Sequence, residues 1–195
     1  MKRALGIDIG GTTIKGGALE VEGGARVAEG FVHFDKKIPA SAIWGRVAGL
    51  VERLEDEAGT RFPRIGVGCA GLFDRATGEV LASANMPNLE GERLPDGVAA
   101  ALGGAREVLL ENDANVAAFG EQWFGAGVDV HDLVLVTLGT GVGGGVVLGD
   151  ELFLGPRGNA GELGHVVVHP RPAGGPYDAP YAEELECACG SYGCG

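Results

Sequence analysis

A chain of 195 residues, 45% of them hydrophobic, can bury the core of one large domain or of two smaller ones. Its net charge of −12 argues against a nucleic acid or an anionic membrane surface as partner, but not against nucleotides, whose phosphates can be held by backbone N–H groups and a metal ion. No apolar run has the length of a signal segment or a membrane span, so a cytoplasmic location is expected.

In chain order, residues 4–9, 12–20 and 25–34 read as three strands joined by turns, an antiparallel meander at the start of a sheet. Residues 39–58 carry Ile43, Val47, Leu50, Val51 and Leu54 at helical spacing and predict an amphipathic helix. A buried strand is expected over 64–71, with Cys69 a small core residue. Next come a loop over 84–93, a short helix over 94–102 and a strand over 107–111. Residues 113–124 predict a helix with Val116, Ala117 and Phe119 facing inward, and 133–138 a buried strand. A glycine loop over 139–145 is followed by strands over 146–148 and 163–168, then a surface excursion over 170–186. The second half, from near residue 132, repeats the opening order of strand, glycine turn and strand. The sequence stops just after its last cysteine with no closing helix or strand, and is expected to be a fragment of a longer protein.

Three segments carry chemistry. The first is Asp8-Ile9-Gly10-Gly11-Thr12-Thr13-Ile14-Lys15, a tight turn whose N–H groups and hydroxyls suit phosphate oxygens, with Asp8 placed to hold Mg²⁺. The second is Gly139-Thr140-Gly141-Val142-Gly143-Gly144-Gly145. It matches G-x-G-x-x-G, but a strand follows instead of a helix, so a phosphate-binding hairpin is expected and not a dinucleotide site. The third is Glu111-Asn112-Asp113-Ala114-Asn115 at a strand end. Asp113 there is either a helix N-cap or a general base in a polar pocket.

Cys187, Cys189 and Cys194, in the pattern Cys-x-Cys-Gly-x-x-Gly-Cys, bring three thiols to one small volume. A tetrahedral zinc site needs a fourth ligand, and His165 in Gly161-Glu162-Leu163-Gly164-His165 is the candidate, with His169 its rival. A disulfide with a spare thiol is the alternative reading.

Together these motifs, in this order, resemble the ROK family (repressor, open reading frame, kinase) of sugar kinases, in its glucokinase-like branch. The resemblance covers essentially the whole chain. It implies an α/β protein of the actin-like, ribonuclease-H-like ATPase fold, with two α/β domains around a cleft. Residues 1–115 would form the first domain and 116–195 the start of an incomplete second. It further implies ATP-dependent phosphorylation of a hexose, most simply glucose, with Asp113 as the base for the 6-hydroxyl. Asn88, Asn112, Glu162 and His165 would bind sugar hydroxyls. Asp8, Gly10, Gly11, Thr12, Thr13, Lys15, Gly139, Thr140, Gly141 and Gly143 would serve ATP and Mg²⁺. Zn²⁺ would be structural, held by His165, Cys187, Cys189 and Cys194, with His165 serving both metal and sugar.

Relatives of this kind are often dimers or tetramers. N-acetylhexosamine or fructose as acceptor, polyphosphate as donor, and a non-catalytic sugar sensor stay open. Two features depart from the family pattern. Residues 166–186 lengthen the connection from the histidine to the cysteines, and Gly68-Cys69-Ala70-Gly71 replaces Gly-x-Pro-Gly. The family's acidic residue after the last cysteine has no counterpart before Gly195.

Overall fold

The computed structural model describes residues 2–139 and 141–167. Two compact units divide the chain after Val116.

The first unit is built on a five-stranded sheet in the order β3-β2-β1-β4-β7. Strands β1 (Arg3–Ile9), β2 (Thr13–Glu20) and β3 (Arg26–His33) form the expected antiparallel meander. Strands β4 (Arg64–Cys69) and β7 (Glu107–Asn112) then pair in parallel beyond β1. Helix α1 (Ala40–Ala58) supplies the crossover to β4, and α2 (Leu94–Ala101) precedes β7 and packs on α1 and on that strand.

Alternation along the strands gives the sheet two unlike faces. Ile7, Ile9, Ile14, Ile65, Val67 and Cys69 are buried in the core shared with α1, which contributes Ile43, Val47, Leu50, Val51 and Leu54. Helix α1 ends at Gly59, a left-handed residue (φ 65°) whose N–H returns to Asp56 O, as a glycine C-cap does.

Glu55, an acidic residue, lies on the buried side of α1, 3% exposed. Arg106 clamps it with two bonds of 2.8 and 3.1 Å, the Phe62 amide donates to it at 2.8 Å, and Arg61 reaches it at 3.3 Å. This network ties the end of α1 to the segments leading into β4 and β7.

The connection after β4 contains structure that the sequence reading passed over. Short strands β5 (Leu72–Phe73) and β6 (Val80–Ala82) form a hairpin, and a single 3₁₀ turn covers Pro87–Leu89 within the expected loop. The hairpin turn is organised by Asp74, whose Oδ1 accepts from the amides of Ala76 and Thr77, each at 2.9 Å.

Helix α3 (Asp113–Phe124) follows β7 directly. Its inward residues are Ala114, Asn115, Ala118 and Gln122, not Val116 and Ala117, which are exposed. The second unit carries a three-stranded sheet, β10-β9-β8, of β8 (Leu133–Leu138), β9 (Val142–Leu148) and β10 (Glu151–Leu152). Two expectations are corrected here. β8 is half-exposed instead of buried, with Val134, Val136 and Leu138 on an open face. Residues 163–165 form a 3₁₀ turn where a strand was expected, because Gly161 and Gly164 lay that turn flat on β9. No helix among the described residues is long and apolar enough to cross a membrane.

Candidate active site

Register places a row of charges across the open face of the first sheet. Lys15 pairs with Asp8, Asp8 with Gly68, and Gly68 with Glu111. These residues line one concavity of about 430 Å³, whose floor is glycine-rich. Gly68 leaves the space between the two carboxylates open. A Cβ there would sit 3.8 Å from the Asp113 Cα and 3.6 Å from a Val116 methyl.

The Asp8 pKa is raised, first by burial and then by the negative charge of Asp113, against the opposing pull of Lys15. Asp113 therefore acts on Asp8 through its charge, and the two stand at the ends of strands separated only by β4. Cys69 lies between them on the core side, fully buried. Burial, with the charges of Asp113 and Asp8, pushes its thiol up to about 12. It stays a neutral, unreactive thiol, as the sequence suggested.

Asp113 is not the N-cap of α3. That role falls to Asn112, whose Oδ1 accepts from the amides of Ala114 (2.9 Å) and Asn115 (3.3 Å). Asn112 thus has only its amide nitrogen for another partner, and that atom lies 3.5 Å from Gly71 O. Asp113 is the first residue of the helix and is exposed; one carboxylate oxygen accepts from the Ala114 amide at 2.9 Å.

The first glycine turn joins β1 to β2. The Gly10 amide closes it onto Thr13 O at 3.0 Å, and Thr12 O accepts from Phe34 N at 3.0 Å. The Thr13 hydroxyl is engaged by the His33 ring at 3.0 Å. Among the described residues the amides of Gly11 and Thr12 take no hydrogen bond, so these are the donors the turn offers outward. Asn88 lies in the 3₁₀ turn and donates to Ile38 O at 2.6 Å, while its buried Oδ1 has no partner among the described residues.

In the second unit the glycine segment divides into two parts. The Gly139 amide donates to Gly141 O at 2.9 Å, and among the described residues a Cβ on either glycine would meet nothing within 4 Å. Thr140 lies outside the described residues. Gly143, Gly144 and Gly145, expected in the loop, instead belong to β9, with Gly143 paired to Thr137.

Gly144 has a different task. A Cβ on it would lie 2.5 Å from Gly161 O, and one on Gly161 (φ 92°) would lie 2.6 Å from Gly144 O. The Glu162–His165 turn is thus seated on β9 backbone to backbone, which orients Glu162 and His165 together. Their side chains approach to 3.7 Å, both partly exposed. Gly144→Ala is expected to lower stability by about 1–3 kcal/mol, the usual range for overpacking. Chemical denaturation measures it, and an unchanged midpoint would show that the turn is not seated this way.

Cys187, Cys189, Cys194 and the rival ligand His169 lie outside the described residues. Among those described, no group of three or more His, Cys, Asp or Glu could hold a metal ion.

Sequence reasoning picked out Asp8, Asp113 and both turns, and the structure gathers each set within its own unit. It missed Arg75, which bonds Glu111 through both guanidinium nitrogens, one at 2.8 Å. Asp74-Arg75-Ala76-Thr77-Gly78 reads as a turn, but nothing in that segment names Glu111, 36 residues on, as the partner of Arg75.

Comparison with known proteins points to one family. The chain is 37% identical over 194 residues to the glucokinase of Thermotoga maritima, covering 98% of this chain and 55% of that protein. It superposes on a ROK-family glucokinase from Streptomyces griseus, solved with glucose and AMPPNP, with a TM-score of 0.80 and 36% identity. That match covers 99% of this chain and 55% of the other. A xylose repressor from Caldicellulosiruptor bescii is 32% identical over 130 residues, 67% of this chain and 29% of the repressor. The chain spans about half the length of the curated relatives it matches. The meander followed by parallel strands is the α/β architecture of the actin-like ATPase fold that these kinases share. The family model described as ROK matches residues 4–195, and the chain belongs to the ROK family.

Proposed function

We propose that this chain carries the phosphoryl-transfer site of an ATP-dependent hexose kinase, with glucose as acceptor. One observation carries the reading. An exposed carboxylate, Asp113, follows the end of β7, one strand removed from Asp8 at the end of β1, which leads into a turn with two outward amides. That is the equipment for removing a hydroxyl proton next to a bound polyphosphate. The glucokinase relatives support the same chemistry.

In this reading Asp113 accepts the proton of the attacking sugar hydroxyl. Its bond from the Ala114 amide fixes the carboxylate plane, so the free oxygen meets the substrate in one orientation. Gly10, Gly11, Thr12, Thr13 and Lys15 in the first unit would serve the nucleotide phosphates, as would Gly139, Thr140, Gly141 and Gly143 in the second. Asn88, Asn112, Glu162 and His165 hold sugar hydroxyls. Asp8 suits Mg²⁺, since its surroundings disfavour an uncompensated anion; the bound ion would supply positive charge against the phosphates. The division of roles follows the two domains, residues 1–115 with the base and 116–195 with the second turn.

Zn²⁺ on Cys187, Cys189, Cys194 and His165 belongs to the same proposal as a structural ion, supported by the cysteine spacing. Cys189→Ser is expected to lose about one equivalent of zinc on elemental analysis. An unchanged metal content would rule the cysteine site out.

The test of the function is ADP formation from MgATP against a panel of hexoses and N-acetylhexosamines. Turnover with glucose supports the reading. Saturable glucose binding without ADP, as a repressor-type relative would give, supports a sugar sensor instead.

A further inference from the structure

The row of charges on the open sheet face has two anions, and each has its own cation. Asp8 has Lys15 beside it on β2. Glu111 has Arg75, delivered from the β5–β6 turn 36 residues earlier. The pair is bidentate and half-buried, with side-chain exposures of 37% and 20%. Burial alone would raise the Glu111 pKa. The hydrogen bonds from Arg75, Asn115 and the Asn112 amide outweigh that and hold the carboxyl below its ordinary value.

Glu111 reaches no substrate group itself in the proposed reading. Its Oε1 accepts from the Asn112 amide at 2.8 Å and from Asn115 Nδ2 at 2.9 Å. Asn112 Oδ1 in turn caps the amides of Ala114 and Asn115. Asn115 is 3% exposed, and its Oδ1 is buried without a partner among the described residues, so the bond to Glu111 alone orients the amide. Flipping that amide would set oxygen against carboxylate, which fixes its orientation electrostatically. A connected chain of bonds therefore runs from the Arg75 guanidinium to the first turn of α3, where Asp113 stands.

We propose that Arg75 is a positioning residue for Asn112 and Asp113, acting through Glu111. It neutralises and aims the Glu111 carboxylate, which in turn clamps the cap of α3 to the end of β7. The two parts are 36 residues apart in sequence, so the β5–β6 hairpin has a function in the site through its bond to Glu111. The catalytic part of this inference rests on the hexose-kinase reading; the structural part does not.

The test compares Arg75→Ala, Arg75→Lys, Glu111→Gln and the double variant Arg75→Ala/Glu111→Gln with the parent chain. In Arg75→Ala, hydrogen exchange at the amides of Asn112, Ala114 and Asn115 is expected to quicken by about tenfold or more, with the α1 amides unchanged. Arg75→Lys keeps the charge but loses the fork, and should recover only part of the protection. The double variant should be no worse than either single change, since both break one link.

Where the parent phosphorylates a hexose, kcat should fall by about tenfold in Arg75→Ala while the KM for ATP stays put. Unchanged exchange at Asn112, Ala114 and Asn115 overturns the proposal, as does an additive loss in the double variant. A parent without hexose turnover counts against the kinase reading alone, because the exchange measurement still decides the role of Arg75.

Discussion

Asp113→Asn is expected to cut hexose phosphorylation by about 10²- to 10⁴-fold, the usual range for losing a positioned general base. The substitution is nearly isosteric. Asparagine keeps an oxygen for the Ala114 amide, so the first turn of α3 should stand as in the parent. What it loses is the ability to take a proton. Hexose binding, followed by tryptophan fluorescence or calorimetry, should therefore persist while ADP formation collapses. Turnover at the parent rate would remove Asp113 from the mechanism. Loss of binding together with turnover would instead make it a substrate-holding residue.

The second large effect is on stability. Glu55→Gln should destabilise the first unit by about 3–5 kcal/mol, the cost of removing one partner of a buried ion pair. Arg106 is 11% exposed on its side chain and would be left charged without a counterion. The Phe62 amide and one Arg106 nitrogen can keep an oxygen acceptor, but the bonds that Arg106 and Arg61 make to the second carboxylate oxygen are lost together with the charge. Arg61 contributes little, because its side chain is 72% exposed and water screens it. Thermal and urea unfolding measure this directly, and a change below about 1 kcal/mol would mean that water or relaxation already screens the Glu55–Arg106 pair.

The parts of the fold legible in the sequence were those set by local rules. The meander followed from alternation and turn residues, and α1 from a period of apolar positions that the structure buries at Ile43, Val47, Leu50, Val51 and Leu54. The parts that were not legible depended on what lies opposite. β8 reads as a continuous apolar run, which periodicity cannot assign to one face or two, and the structure leaves alternate residues open. In α3 the buried positions include Asn115 and Gln122, polar residues held by Glu111 and Asp150 respectively. No hydrophobic pattern marks such positions. The glycines after Gly141 look like more of the same loop, yet Gly144 is needed for contact with a turn that arrives about twenty residues later. Asp113 and Asp8 were found because their chemistry sits beside turn signals. Arg75 was missed because its partner is distant in sequence.

The open face of β8 bears on how the chain behaves at high concentration. Leu133–Leu138 is a hexapeptide with no charge and no proline, rich in β-branched and aliphatic side chains. Among the described residues it pairs with β9 alone, and a segment of this composition can pair with a neighbouring copy wherever its edge is exposed. His131 and Asp132 just before it act as gatekeepers on one side only. On the other side the safeguard against fibre-like stacking is mutual repulsion between chains that each carry −12, a long-range force that salt weakens. Colloidal stability of this chain is therefore expected to fall as ionic strength rises, because salt screens the repulsion that keeps one β8 from meeting another.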